Sequence, residues 1–194
     1  SPNCNCHCAP YTPTPELKHL TGITKTLASD AEIASVTLPA GVILSTKNAD
    51  GKYVADANGE VTLLYKITVT GDEGANYIVT DENATRVGGA ELTGTIAEGE
   101  TEAVIYVTKT FTKDQIQAEQ VTNTAYVKPG DDGTDLKPTD PDKTLDDEKG
   151  LPSDPVESDV TQAPNVEITK VLKAGSPASY TVGDTIEWTI TVTN

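Results

Sequence analysis

Short runs of alternating β-branched and polar residues divide the first two thirds of the chain into candidate strands. The runs cover residues 23–27, 35–38, 61–70, 76–80, 91–96, 103–108 and 122–127. Turn-forming pairs such as Asn58-Gly59 and Gly88-Gly89 separate them. About seven short strands at this spacing are typical of an antiparallel sandwich, so residues 22–127 are predicted to form an all-β domain. One helical turn is predicted at residues 112–116, where Thr112 can serve as the N-cap.

The pattern changes on both sides of this domain. Residues 1–21 are rich in proline and predict an extended tail carrying cysteines. Residues 128–164 hold 11 Asp plus Glu, 4 Lys and six prolines, with few large apolar side chains. Such a segment buries too little surface to offset its ordering entropy, so it is predicted to be an acidic, Pro-rich linker. Calcium binding is the alternative, although the acids lack the spacing of a calcium-binding loop.

Residues 165–194 repeat the start of the domain. Ile168-Thr169-Lys170 matches Ile23-Thr24-Lys25, and residues 188–193 match residues 65–70. The segment is therefore predicted to supply the first strands of a second, incomplete repeat. The remaining strands would come either from a longer chain or from another subunit by β-augmentation.

Charge and residue content exclude several functions. Fourteen Lys plus Arg against 30 Asp plus Glu give a net charge of −16, which disfavours nucleic-acid binding. No apolar stretch is long enough to span a membrane. The two histidines, His7 and His19, both fall in the predicted tail, and no nucleotide or nucleophile motif is present. We therefore expect a protein that is not an enzyme, with no catalytic residues, no cofactor and no metal site.

Several motifs resemble a bacterial surface-repeat family known as a domain of unknown function. They are Val-Gly-Asp-Thr-Ile-Glu-Trp-Thr-Ile-Thr-Val-Thr-Asn at 182–194, Val79-Thr80-Asp81, Gly94-Thr95-Ile96 and Val-Thr-Asn-Thr-Ala at 121–125. Similar repeats form the stalks of cell-wall adhesins and fibres on spores. The resemblance implies an immunoglobulin-like antiparallel β-sandwich and an extracellular location on a cell or spore surface.

Three cysteines alternate with other residues in the tail. Cys4, Cys6 and Cys8 are too closely spaced for easy pairing with one another, and their number is odd. These features favour intermolecular disulfide cross-links outside the cell. Zinc binding with His7 is an alternative, although one intervening residue is short of the usual spacing. A plain unpaired tail is the third possibility.

A second kind of cross-link is suggested by the resemblance. Surface-stalk domains similar to this one can join a buried lysine to an asparagine through an intramolecular isopeptide (amide) bond. Here Lys25 and Asn123 would be the two partners, and Asp81, or Glu82 beside it, would be the acid that polarises the amide and shuttles protons. The alternative is that Lys25 points to solvent and Asn123 bonds to backbone.

Two functions follow from these features. The first is a structural subunit or stalk repeat of an extracellular, pilus-like fibre, cross-linked through its tail. Its partners would be further copies of itself in a head-to-tail homopolymer, or other surface and fibre proteins. The alternative is an adhesin module that binds a host or matrix ligand through its loops, above all residues 30–57.

Overall fold

The computed structural model describes residues 10–163 and 166–193. The strands are β1 (Lys18–Leu27), β2 (Tyr53–Val54), β3 (Val61–Gly71), β4 (Asn76–Thr80), β5 (Ala84–Arg86), β6 (Thr93–Thr95), β7 (Glu102–Phe111), β8 (Gln120–Asn123), β9 (Tyr126–Pro129), β10 (Thr134–Leu136), β11 (Leu151–Pro152), β12 (Val156–Thr161), β13 (Glu167–Leu172) and β14 (Trp188–Thr193). One helix, α1 (Asp30–Ser35), and a 3-10 turn at Lys113–Gln115 complete the described elements.

The strands form a β-sandwich. One layer is a sheet in the order β10-β1-β3-β7-β5, in which only the β1–β10 pair is parallel. The opposite layer consists of two smaller sheets, β11-β9-β4-β6 and β2-β12-β8. Apolar side chains from both layers form one buried core. The predicted all-β antiparallel sandwich is confirmed.

Strand β3 lies at the centre of the larger sheet and supplies much of the core. Val61, Leu63, Tyr65, Ile67 and Val69 alternate along it, and each is at most 2% exposed. Because successive side chains of a strand point to opposite faces, this alternation directs all five into the sandwich. The same geometry decides which polar side chains of the neighbouring strands also point inward.

The prediction of a linker at residues 128–164 is wrong over the part that the structure describes. Residues 128–163 supply the end of β9 and all of β10, β11 and β12, and Leu151 and Val160 lie in the core. The few apolar residues of the segment suffice because the rest of the sandwich already provides a surface for them. Its acids serve the turns: the Asp146 carboxylate accepts hydrogen bonds from the backbone N–H groups of Glu148 and Lys149.

Other predicted boundaries of the domain and its strands also differ from those in the structure. The domain begins at Lys18 rather than at residue 22, because β1 extends into the predicted tail, where His19 contacts Asp135. The predicted strand at 35–38 is wrong: Ser35 is the last residue of α1, which starts with a capping box between Ser29 and Glu32, and residues 36–38 form no strand. The predicted strand at 122–127 is two strands, β8 and β9. The single turn at 112–116 is confirmed as the 3-10 turn that follows Thr112.

Strands β13 and β14 form an antiparallel hairpin of their own. Their side chains are exposed, including Ile168, Trp188, Ile190 and Val192. The two predicted strands of residues 165–194 are therefore present in the described part. In residues 10–163 and 166–193 no helix is long and apolar enough to cross a membrane.

Candidate functional site

Lys25 lies in the interior of the sandwich. It occupies the middle of β1 between Ile23 and Leu27, whose side chains share its face. The Lys25 side chain has no exposed surface. Its ammonium nitrogen lies 4.2 Å from the ring centroid of Tyr65 on the adjacent strand β3. The interpretation of Lys25 as a solvated surface residue is therefore wrong.

Asp81 and Asn123 meet Lys25 from the opposite layer. Asp81 follows β4 and its side chain is also fully buried. Its Oδ2 accepts hydrogen bonds from the Lys25 ammonium and, at 3.4 Å, from Nδ2 of Asn123, the last residue of β8. The structure thus brings together the three residues predicted from the sequence, with Lys25 and Asn123 both donating to one oxygen of Asp81. Glu82, the other candidate acid, is exposed.

A second lysine, which the sequence argument missed, completes the cluster. Lys109 lies on β7, and its Nζ donates a hydrogen bond of 3.1 Å to Oδ1 of Asn123 and lies 4.0 Å from Oδ1 of Asp81. Its side chain is 11% exposed. Since an ammonium is only a donor, it fixes the carboxamide with Oδ1 towards Lys109 and Nδ2 towards Asp81. A signal was available, because Lys109 interrupts the inward-facing series Ile105, Val107, Phe111.

Burial dominates the electrostatics of the cluster. It lowers the pKa of Lys25 from 10.5 to about 8, and the nearby charge of Lys109 also lowers this pKa. The charge and hydrogen bond of Asp81 act in the opposite direction and only partly compensate. Burial, with the charge of Asp81 as a second cause, raises the pKa of the Tyr65 phenol. A lysine with a lowered pKa can lose its proton near neutral pH and become a nucleophile.

One oxygen of Asp81 lacks a hydrogen-bond donor within the described part of the chain. Among the described residues its Oδ1 has no hydrogen-bond partner, although the atom is buried. A buried carboxylate oxygen without a donor is costly when ionised. Within residues 10–163 and 166–193, Oδ1 is therefore left with only the longer contact to Lys109 Nζ, at 4.0 Å.

The remaining predicted site lies outside the described residues. Cys4, Cys6 and Cys8 fall in residues 1–9, so their cross-linking stays a prediction. Within residues 10–163 and 166–193 no group of three or more His, Cys, Asp or Glu side chains is arranged to hold a metal ion. Residues 30–57, the candidate ligand-binding insertion, carry α1, whose Glu32 bonds to Lys66 and Tyr106 on the outer face of the larger sheet.

No protein-family model, no curated protein and no solved structure matches this chain. The feature of the described residues that bears on function is therefore the buried cluster.

Proposed function

We propose that this protein is a structural module of an extracellular surface fibre or appendage, and that its sandwich is locked by an amide bond between Lys25 and Asn123. The observation that carries the proposal is the convergence of Lys25 and Asn123 on the buried carboxylate of Asp81. A permanent bond between opposite layers suits a protein that resists mechanical load or proteolysis. Its acidic surface and cysteine-bearing tail suit a cross-linked assembly outside the cell.

The reaction begins with a proton moving from Lys25 Nζ to Asp81 Oδ2. The neutral amine then attacks Cγ of Asn123, and a new C–N bond forms as the carbonyl π electrons move onto Oδ1. Asp81 lies beside the amide nitrogen, where it protonates the leaving group. The electrons on Oδ1 re-form the carbonyl as the bond from Cγ to Nδ2 breaks and ammonia leaves. The attacking nitrogen then gives one proton to Asp81, so the carboxyl acts as a proton shuttle.

Lys109 takes the task of polarising the carbonyl, which the sequence argument had given to the acid. Its ammonium already donates to Asn123 Oδ1, the atom on which negative charge develops during the attack. A preorganised donor in a buried site stabilises such an oxyanion, and removal of one donor typically slows a reaction about 10²–10³-fold. Lys109→Met is therefore expected to slow amide formation strongly while leaving Lys25 and Asp81 in place.

Intact-mass measurement of the folded full chain tests the amide. The chain is expected to be lighter than its sequence by one ammonia, with the peptides containing Lys25 and Asn123 joined after proteolysis. Asp81→Ala and Lys25→Arg are each expected to restore the full mass. Lys47→Met is the matched control, because Lys47 also lies over an aromatic ring, that of Tyr53, but is exposed. It should still lose ammonia.

A folded wild-type chain of full mass would overturn the amide proposal. The cluster would then be a buried ion pair, which commonly contributes little net stability.

The fibre proposal has its own test. Electron microscopy of the purified full chain is expected to show fibres, and non-reducing gels a ladder that collapses with reductant. A variant with Cys4, Cys6 and Cys8 all changed to Ser should lose the ladder. Monomers in the microscope would favour the adhesin alternative, and reductant-resistant multimers of the Ser variant would exclude the cysteines as the joints.

A further inference from the structure

The hairpin β13–β14 reproduces the pairing of β1 with β3 position by position. In the domain, Ile23 pairs with Val69, Lys25 with Ile67 and Leu27 with Tyr65. In the hairpin, the corresponding pairs are Ile168 with Val192, Lys170 with Ile190 and Leu172 with Trp188. The two registers coincide, although residues 28–60 connect the first pair and residues 173–187 the second. Lys170 is thus the positional equivalent of Lys25.

The surroundings of the two lysines also correspond. Lys170 Nζ lies 4.5 Å from the centroid of the Trp188 ring, as Lys25 Nζ lies over the Tyr65 ring. Lys170 sits in the centre of an apolar face formed by the side chains that share its side of the hairpin. In the domain the equivalent face is buried in the core; in the hairpin it is exposed, and its members are Ile168, Leu172, Trp188, Ile190 and Val192.

We propose that Lys170 is a second amide-forming lysine, which reacts when a β-strand segment built like residues 71–163 covers the apolar face of the hairpin. This inference rests on the proposed function of Lys25. Lys170 is the reactive residue because it lies at the centre of the apolar face, where its ammonium group loses contact with water as soon as the face is covered.

The partner segment has a defined chemistry. It must add a strand to the free edge of β14, as β7 does beside β3. It must also bring an Asp or Glu carboxyl and an Asn carboxamide to the amine, as Asp81 and Asn123 do for Lys25. The amine and carboxamide would yield an amide and ammonia, as before. A second copy does not suit this task, because its Asp81 and Asn123 already contact its own Lys25.

The test extends the full chain so that the hairpin gains such a partner. A second copy of residues 71–163 is fused after Thr193, which corresponds to Thr70 in the shared register. Because Trp is larger than the fully buried Tyr65, a second version carries Trp188→Tyr. The expected result is the loss of two ammonia molecules, with Lys170 joined to the added copy of Asn123.

Two lysine variants of the extended chain locate the second bond. Lys170→Arg is expected to lose only one ammonia, and the peptides containing Lys25 and the original Asn123 should remain joined. Lys173→Arg is the matched control at the end of the hairpin, where Lys173 pairs with Glu187 at 3.0 Å. It should still lose two.

Each other outcome has a defined meaning. A second unit that resists protease but keeps its ammonia, while Lys25 is joined to the original Asn123, overturns the assignment of Lys170 alone. A second unit that remains protease-sensitive in both versions overturns the equivalence of the two hairpins. Absence of the Lys25 amide from the same molecules would instead refute the proposed function.

Discussion

The amide is expected to dominate the stability of the domain. Lys25 and Asn123 are separated by 98 positions in the sequence, so their bond closes most of the domain into one loop. In the chain-entropy model a cross-link that closes a loop of about 100 residues stabilises the folded state by about 4.7 kcal/mol. The double variant Lys25→Met/Asp81→Asn cannot form the bond. Its substituted side chains are uncharged, so the unlinked domain has no unpaired Lys25 or Asp81 charge buried in the core.

The double variant should therefore lose about 4–5 kcal/mol of unfolding free energy, nearly all of it from loop closure. For a domain of this size the loss corresponds to roughly 10–20 °C in Tm. Urea titration and calorimetry of the full chain measure both quantities. Lys47→Met is the control, and as an exposed substitution it should change stability by no more than about 0.5 kcal/mol.

One result would refute this reasoning directly. If the wild-type chain lacks one ammonia and the double variant still unfolds within about 1 kcal/mol of it, the bond does not act through loop closure.

Two further predictions concern the proton in the cluster and the segment after β9. The reactive state holds one proton shared by Lys25 and Asp81. The rate of amide formation during refolding from denaturant, followed by timed mass spectrometry, should therefore be constant near neutral pH and fall as pH rises through about 8, the pKa of Lys25. A rate that rises through the same pH would show that the acid is not needed. Gly150 has φ +89° and a Cβ there would lie 2.2 Å from the carbonyl oxygen of Val127, so Gly150→Ala should cost roughly 3 kcal/mol or more in urea titration. Gly51 has a similar φ of +78°, and no atom lies within 4 Å of a Cβ added there. Gly51→Ala should therefore lower the free energy of unfolding by only about 1–2 kcal/mol. Equal losses in the two variants would contradict the close packing of residue 150.

The alternation of apolar residues was enough to predict most of the sandwich. Strand β4 has the predicted bounds, β3 extends the predicted run by one residue, and β7 extends it by four. These strands are half buried, so each has a two-residue period that local sequence shows directly. The predicted strand at 35–38 failed because Ser35 belongs to the end of α1 and residues 36–38 pair with no strand.

Residues 128–163 could not be predicted in the same way. Strands β10 and β11 are three and two residues long, too short to show a period. Their burial depends on a surface made by strands that come earlier in the chain, and composition does not reveal such a surface. The alternation along β7 indicates that Lys109 points inward, but its contact with Asn123 depends on how β7 faces β8 across the core.

The positions of Lys25 and Asn123 also govern how the module would respond to tension. A pull applied at the start of β1 reaches Lys25 within the first strand, and with the proposed amide in place it passes directly to Asn123 and onward to β12. Residues 26–122 then lie outside the covalent load path. Fully extended, those residues would span about 330 Å. With the amide in place, a pull on the module cannot release this length of chain. A fibre built from such modules could lengthen only through segments outside the closed loop, such as residues 124–163.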